Sequence, residues 1–186
     1  SRDGSITVGN LRGEMKALTD VGTIFFRSID GNIDARAESG NVVVSRCTGS
    51  VNLRTSVGDV RIGTVGGRAR LETVSGNVEV QTARGVVEAL VAEGDIEAGF
   101  ATITGASKIR TKIGDIFARI NPTESCSIQA KARWGKVQNR LSLDHTSGRN
   151  GRSRLRGDFN GGGPLIEMHA GGGTVRIDAG EPYLDG

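Results

Sequence analysis

Eight basic side chains crowd one part of the chain. Lys131, Arg133, Lys136, Arg140, Arg149, Arg152, Arg154 and Arg156 stand against only Asp144 and Asp158, whereas the rest of the sequence holds 16 basic and 19 acidic residues. Such a segment draws phosphate, sulfate or carboxylate groups by direct attraction and counterion release. Arg149, Arg152, Arg154 and Arg156 are the expected contacts for a polyanion, either an anionic polysaccharide or lipid headgroups. The competing reading is a solvated cap that stops the end of the fold from polymerising. Both stay open at this point. The net charge of the whole chain, +3, is too small to imply nucleic acid.

The other reactive residue types give no constellation. Cys47 and Cys126 are far apart in sequence, with no CxxC and no neighbouring His, so zinc is not expected. His145 and His169 lack metal-ligand spacing. Glycine-aspartate turns of nine-residue period can bind calcium, but those turns need GGxGxD and several carboxylates around each ion. Here a turn holds at most one, at Asp59, Asp95 or Asp115. No GxSxG, P-loop or HExxH is present. Polysaccharide-cleaving β-helices gather carboxylates and aromatics on one face. Only Trp134 and Tyr183 could serve here, and the carboxylates are scattered. No catalytic residue, metal site or cofactor is expected, and the chain reads as a non-enzyme.

What positions these residues is a repeat. Gly4, Gly13, Gly22, Gly31, Gly40, Gly49, Gly58, Gly67, Gly76, Gly85 and Gly94 recur every nine residues, and a two-residue insertion then moves the next to Gly105 and Gly114. Units of the type Gly-Asn-Val alternate with less regular ones such as Gly67-Arg68-Ala69, so the full period is eighteen. Within each unit apolar and polar residues alternate, as in a strand with one buried face. Equivalent residues form uniform columns, for example Ile24, Val42, Val60, Val78 and Ile96, or Leu53 and Leu71, or Ile29, Cys47 and Val65. Uniform columns predict coil stacked upon coil, an all-β, single-domain parallel β-solenoid of seven to eight coils with two strands per coil, right-handed by expectation. Glycine is expected at each corner for its positive-φ conformations, with the following Asn or Asp closing the turn locally.

The division of the chain follows from the rhythm. Residues 1–121 form regular coils, 122–163 an irregular segment containing the basic excursion, 164–180 one final coil and 181–186 a tail. Aromatics at 4% fit a thin interior, and no apolar run is long enough to span a membrane. No signal peptide opens the sequence, which is expected to be a trimmed piece of a longer protein. Outward columns such as Lys16, Asp34, Asn52 and Arg70, or Arg36, Arg54 and Glu72, read as solvated faces. Thr7, Phe25 and Val43 share another outward column next to an uncovered first coil, and they are the expected surface for self-association.

The units SGNV and GDI resemble the repeat of the bacterial adhesin-type β-helical domain family. So do Ile120-Asn121-Pro122 leading into Ser127-Ile128-Gln129-Ala130, and the closing Gly-Gly-Gly-Thr-Val-Arg-Ile. Asn121 stands where the family pattern has Leu. The resemblance implies a β-helical domain in proteins tied to the bacterial cell envelope, and it brings no catalytic residues with it. The expected role is a non-enzymatic, envelope-associated structural or interaction module with a protein or cell-surface partner. The alternatives are polyanion binding through residues 131–158 and a self-assembling scaffold resembling bactofilins.

Overall fold

The computed structural model describes residues 3–148 and 153–181. Six coils follow one another without interruption. They are β1 (Ile6–Arg12) with β2 (Met15–Val21), β3 (Ile24–Asp30) with β4 (Ile33–Ser39), and β5 (Val42–Cys47) with β6 (Val51–Val57). Then come β7 (Val60–Val65) with β8 (Ala69–Ser75), β9 (Val78–Ala83) with β10 (Val87–Glu93), and β11 (Ile96–Phe100) with β12 (Ser107–Ile113). Odd strands build one parallel sheet and even strands the other, each residue pairing with its equivalent in the next coil, as in Ile24↔Val42↔Val60. The expected β-solenoid of about eighteen residues per coil is the observed fold.

Alternation decides which side chains meet inside. Leu53, Leu71, Ile62, Val44 and Ile109 are essentially inaccessible, and the two faces share one continuous core. Thr19, Thr55, Thr73 and Thr111 also point inward and are buried. Their hydroxyls donate to corner carbonyls, as in Thr55 to Gly40 at 2.9 Å, so burial leaves no orphaned donor.

Most corner glycines take the expected positive φ, but the corners depart from expectation in two ways. At Gly58 φ is +141°, and an added Cβ would also collide with the carbonyl of Gly40 in the coil below. Gly67 has an ordinary φ, yet a Cβ there would lie 2.9 Å from the backbone of Gly49. Gly49, Gly67 and Gly85 thus answer to the close approach of stacked backbones rather than to turn conformation, whereas the other corner glycines of the regular register, from Gly4 to Gly94, do take positive φ. The Asn and Asp side chains do not close their own turns either. Asn41, Asp59, Asn77, Asp95 and Asp115 each accept, through Oδ1, the backbone N–H of the residue one coil further on, at 2.7–2.9 Å. They form a hydrogen-bonded ladder that runs along the stack.

After β12 the winding changes. The chain continues through β13 (Ile116–Ile120), β14 (Cys126–Ala132), β15 (Val137–Asn139), β16 (Asp144–Gly148), β17 (Arg154–Phe159), β18 (Leu165–Gly172) and β19 (Val175–Ala179). The nine-stranded sheet ends β11-β13-β19-β15, and the ten-stranded sheet ends β12-β18-β14-β17-β16. β14 therefore skips a position, and β18 returns to fill it between β12 and β14. The strands that close the sequence lie inside the stack. β17 is antiparallel to both β14 and β16, so a hairpin covers that end of the ten-stranded sheet. The excursion expected to lack periodicity is in part this hairpin. Its inward residues are Leu155, Gly157 and Phe159, and the glycine, packed under Leu143, interrupts the apolar alternation that would reveal a strand.

Both cysteines are buried free thiols, Cys47 in the third odd strand and Cys126 in β14 of the opposite sheet, five positions along the stack. Burial raises the pKa of each, that of Cys126 to about 11 with help from Glu124 and Asp158.

Two outcomes follow in denaturant melts. Leu53→Ala in the regular coils and Met168→Ala in β18 should each cost about 2–5 kcal/mol. A small loss at Met168 alone would contradict its placement between Ile109 and Ala130. Gly58→Ala should cost more than about 3 kcal/mol through φ and collision together, whereas Gly9→Ala, with nothing within 4 Å of the added carbon, should stay within about 0.5.

Candidate functional site

The two outer faces differ in what they leave exposed. Among the described residues, the large apolar side chains that remain exposed are Leu18, Val21, Val57, Val74, Leu90, Ile113, Trp134 and Leu165. All belong to strands of the ten-stranded sheet except Trp134, which lies two residues beyond the end of β14. Both faces carry ion pairs, such as Arg61–Glu79 at 3.8 Å and Arg119–Glu97 at 3.6 Å on the nine-stranded sheet and Arg70–Glu72 at 3.0 Å on the ten-stranded one, so the exposed apolar side chains are what sets the second face apart.

Register builds a long polar row on the ten-stranded face. Leu18, Arg36, Arg54, Glu72, Leu90 and Arg110 stand on successive even strands. Because β18 fills the next position, the row goes on to His169, then to Lys131 on β14 and Arg154 on β17. Arg110, His169, Lys131 and Arg154, from four strands separated in the sequence, are thereby brought side by side. Arg110 donates to Glu167 at 2.6 Å, which lowers the carboxyl pKa of Glu167. Desolvation, then the charges of Lys131 and Arg110, lower that of His169, so the imidazole stays neutral where an exposed one begins to charge. Arg110 Nε and His169 Nε2 are shielded from water and have no hydrogen-bond partner.

Beside this row the surface sinks. β18 ends in Gly171 and Gly172, which offer no side chains, while Lys112 and Ile113 stand on one side. Arg133 and Trp134 stand on the other, held by backbone bonds to the carbonyls of Ala170 and Gly171. The slot opens into a groove of about 950 Å³. Its charged lining is Arg36, Arg54, Arg110, Lys112 and Arg133 against the single carboxylate of Glu72. Its apolar lining comes from Val74, Leu90, Ala92, Ile113 and Trp134. Trp134 is 79% exposed, with the Arg133 guanidinium 5.7 Å from its ring centroid. A cation held over an indole face fixes the ring without covering its other side.

The residues singled out from the sequence fall elsewhere or only partly here. Arg154 lies on the basic row and Arg156 on the neighbouring one, opposite Gln129, while Arg149 and Arg152 lie outside the described residues. Thr7, Phe25 and Val43 do share a column, on the nine-stranded face, where Thr7 is exposed and the two apolar residues are half-buried. His145 sits in the exposed strand β16, far along the sequence from His169. No group of three or more His, Cys, Asp or Glu is placed to hold a metal ion among the described residues. No helix among them is long and apolar enough to cross a membrane. The groove itself escapes the sequence because Gly171, Gly172 and Trp134 become neighbours of Ile113 only through the skipped position in the sheet.

Comparison with curated proteins and with solved structures returned no match. The family model described as Toastrack DUF4097 matches residues 1–161, which takes in the regular coils, β14 and the hairpin. With the solenoid fold, that match supports a β-helical domain of unknown function, in keeping with a structural or interaction module; it does not extend to the adhesin name. The chain belongs to the Toastrack DUF4097 family.

Proposed function

We propose that this protein is a non-enzymatic interaction module of the bacterial cell envelope, and that it holds an anionic partner in the groove of its ten-stranded face. One observation carries the reading: the groove sets five cationic side chains and one carboxylate around exposed apolar side chains, and of the five only Arg54 and Arg110 are ion-paired among the described residues, with Glu72 and Glu167. Exposed apolar surface rimmed by charge marks a binding surface more often than a solvated one. The envelope assignment rests on the resemblance of the repeat units. The basic segment 131–158 enters the same reading through Lys131, Arg133 and Arg154, which extend the groove toward the hairpin. A rigid rod is suited to this task, because side chains fixed on neighbouring strands lose little freedom when a ligand settles on them.

A charge-matched comparison of the two faces tests it. Wild-type protein should be retained at low salt on immobilised heparin or on vesicles containing phosphatidylglycerol, and retention should fall steeply with salt. Lys112→Gln with Arg133→Gln should elute at clearly lower salt, whereas Arg61→Gln with Arg176→Gln on the nine-stranded face should elute with wild type. Equal shifts for both pairs would reduce the attraction to net charge alone and end the proposal. Cell fractionation that recovers the native protein away from the envelope would overturn the compartment.

A further inference from the structure

We infer that the occupant of the groove is a linear acidic polysaccharide lying along the solenoid axis, with one sugar ring seated on Trp134 in the slot over Gly171 and Gly172. This rests on the groove being the binding surface.

Three features select that chemistry. The slot is floored by backbone and walled by a flat, exposed indole, the surface on which the apolar C–H face of a sugar ring stacks. Beside it, Arg110, His169, Lys131 and Arg154 stand on four adjacent strands, about 4.8 Å apart, so a row of nitrogen groups, charged at Arg110, Lys131 and Arg154 and neutral at His169, runs about 14 Å along the stack, with Arg110 shared with Glu167. A stiff chain that carries a carboxylate on each ring meets such a row repeatedly. Arg110 Nε and His169 Nε2 lack partners in the protein, and ligand oxygens entering between the flanking side chains would supply them.

Other polyanions fit less well. An extended acidic peptide is usually captured at a free sheet edge by main-chain hydrogen bonds. The groove lies on a face, where β12, β18 and β14 already bond one another. A bilayer needs apolar side chains that protrude together, but here they line a depression with Glu72 inside it. Spacing between strands sets the charge repeat on the protein, and a saccharide unit is comparable in length to that spacing.

Trp134 is the sole tryptophan of the chain, so its emission reports directly on the slot. Titration with oligogalacturonate should change that emission saturably, and a neutral maltooligosaccharide of equal length should not. Gly172→Leu should weaken binding at least roughly tenfold. An added Cβ there meets nothing closer than the Lys112 carbonyl at 3.8 Å, so the melting temperature should stay near that of wild type. Trp134→Ala, followed by calorimetry, should weaken binding roughly thirtyfold, the weight of an aromatic anchor. Uronate binding untouched by both variants would overturn the inference. Poly-L-glutamate or phosphatidylglycerol vesicles binding in its place, with loss in the Lys112→Gln and Arg133→Gln protein, would overturn the glycan and leave the groove as the binding surface. Binding of none of these probes through the groove would overturn both.

Discussion

The whole molecule depends on one coil resting directly on the backbone of the last. At Gly58 the carbonyl of Gly40 occupies the space a Cβ would need, and the same collision recurs at Gly76 and Gly94. Side chains are excluded there, so the corners stack at strand spacing and the two sheets stay in register from coil to coil. The Asx ladder uses the same contact. Each Oδ1 accepts an N–H from the next coil, satisfying a corner donor that neither sheet could reach. Register, core columns and surface rows all follow from that stacking.

Interleaving at one end turns this repetitive stack into a particular molecule. A simple solenoid would offer the edges of its final strands to any other chain. Here β18 enters between β12 and β14, and the β16–β17 hairpin lies across the outer side of β14. The intercalated strands also couple distant parts of the sequence, since Arg110 and Glu167 are 57 residues apart and hydrogen-bonded. The first six coils can form from neighbouring segments, but this end is complete only when residues 165–179 have docked.

The functional surface arises where repetition fails. Regular coils give each face rows of charges that pair along the row, as Arg54 does with Glu72 at 3.2 Å, or with the row alongside, as Arg70 does with Glu72 at 3.0 Å. Exposed pairs of this kind contribute little stability, about 0–1 kcal/mol each, and leave little for a ligand. Gly171 and Gly172 remove side chains from one strand, and Arg133 and Trp134 rise on the next. The resulting groove combines charge with apolar surface in a rigid frame, which is why the interaction reading attaches to this face.

Much of this was legible in the residues themselves. Period-two alternation within period-eighteen repeats determined the fold, the inward columns and the outward rows up to Arg110, because neighbours in a solenoid are neighbours at a fixed sequence interval. The buried environment of Cys47 followed from its column in the same way. Two local readings were incomplete for a physical reason: a corner glycine answers to the coil below it, and an Asx side chain bonds the coil ahead of it, and neither partner is visible within one turn. The strand character of β17 was hidden by Gly157 at an inward position. Only the tertiary structure could decide the order of strands at the far end. A strand may pair with any partner that matches its length and alternation, and β14 takes β18 rather than β12 as its parallel neighbour. That choice sets His169 between Arg110 and Lys131 and places Trp134 across two glycines from Ile113, so the fold was written in the repeat, whereas the groove was made by the place where the chain stops following it.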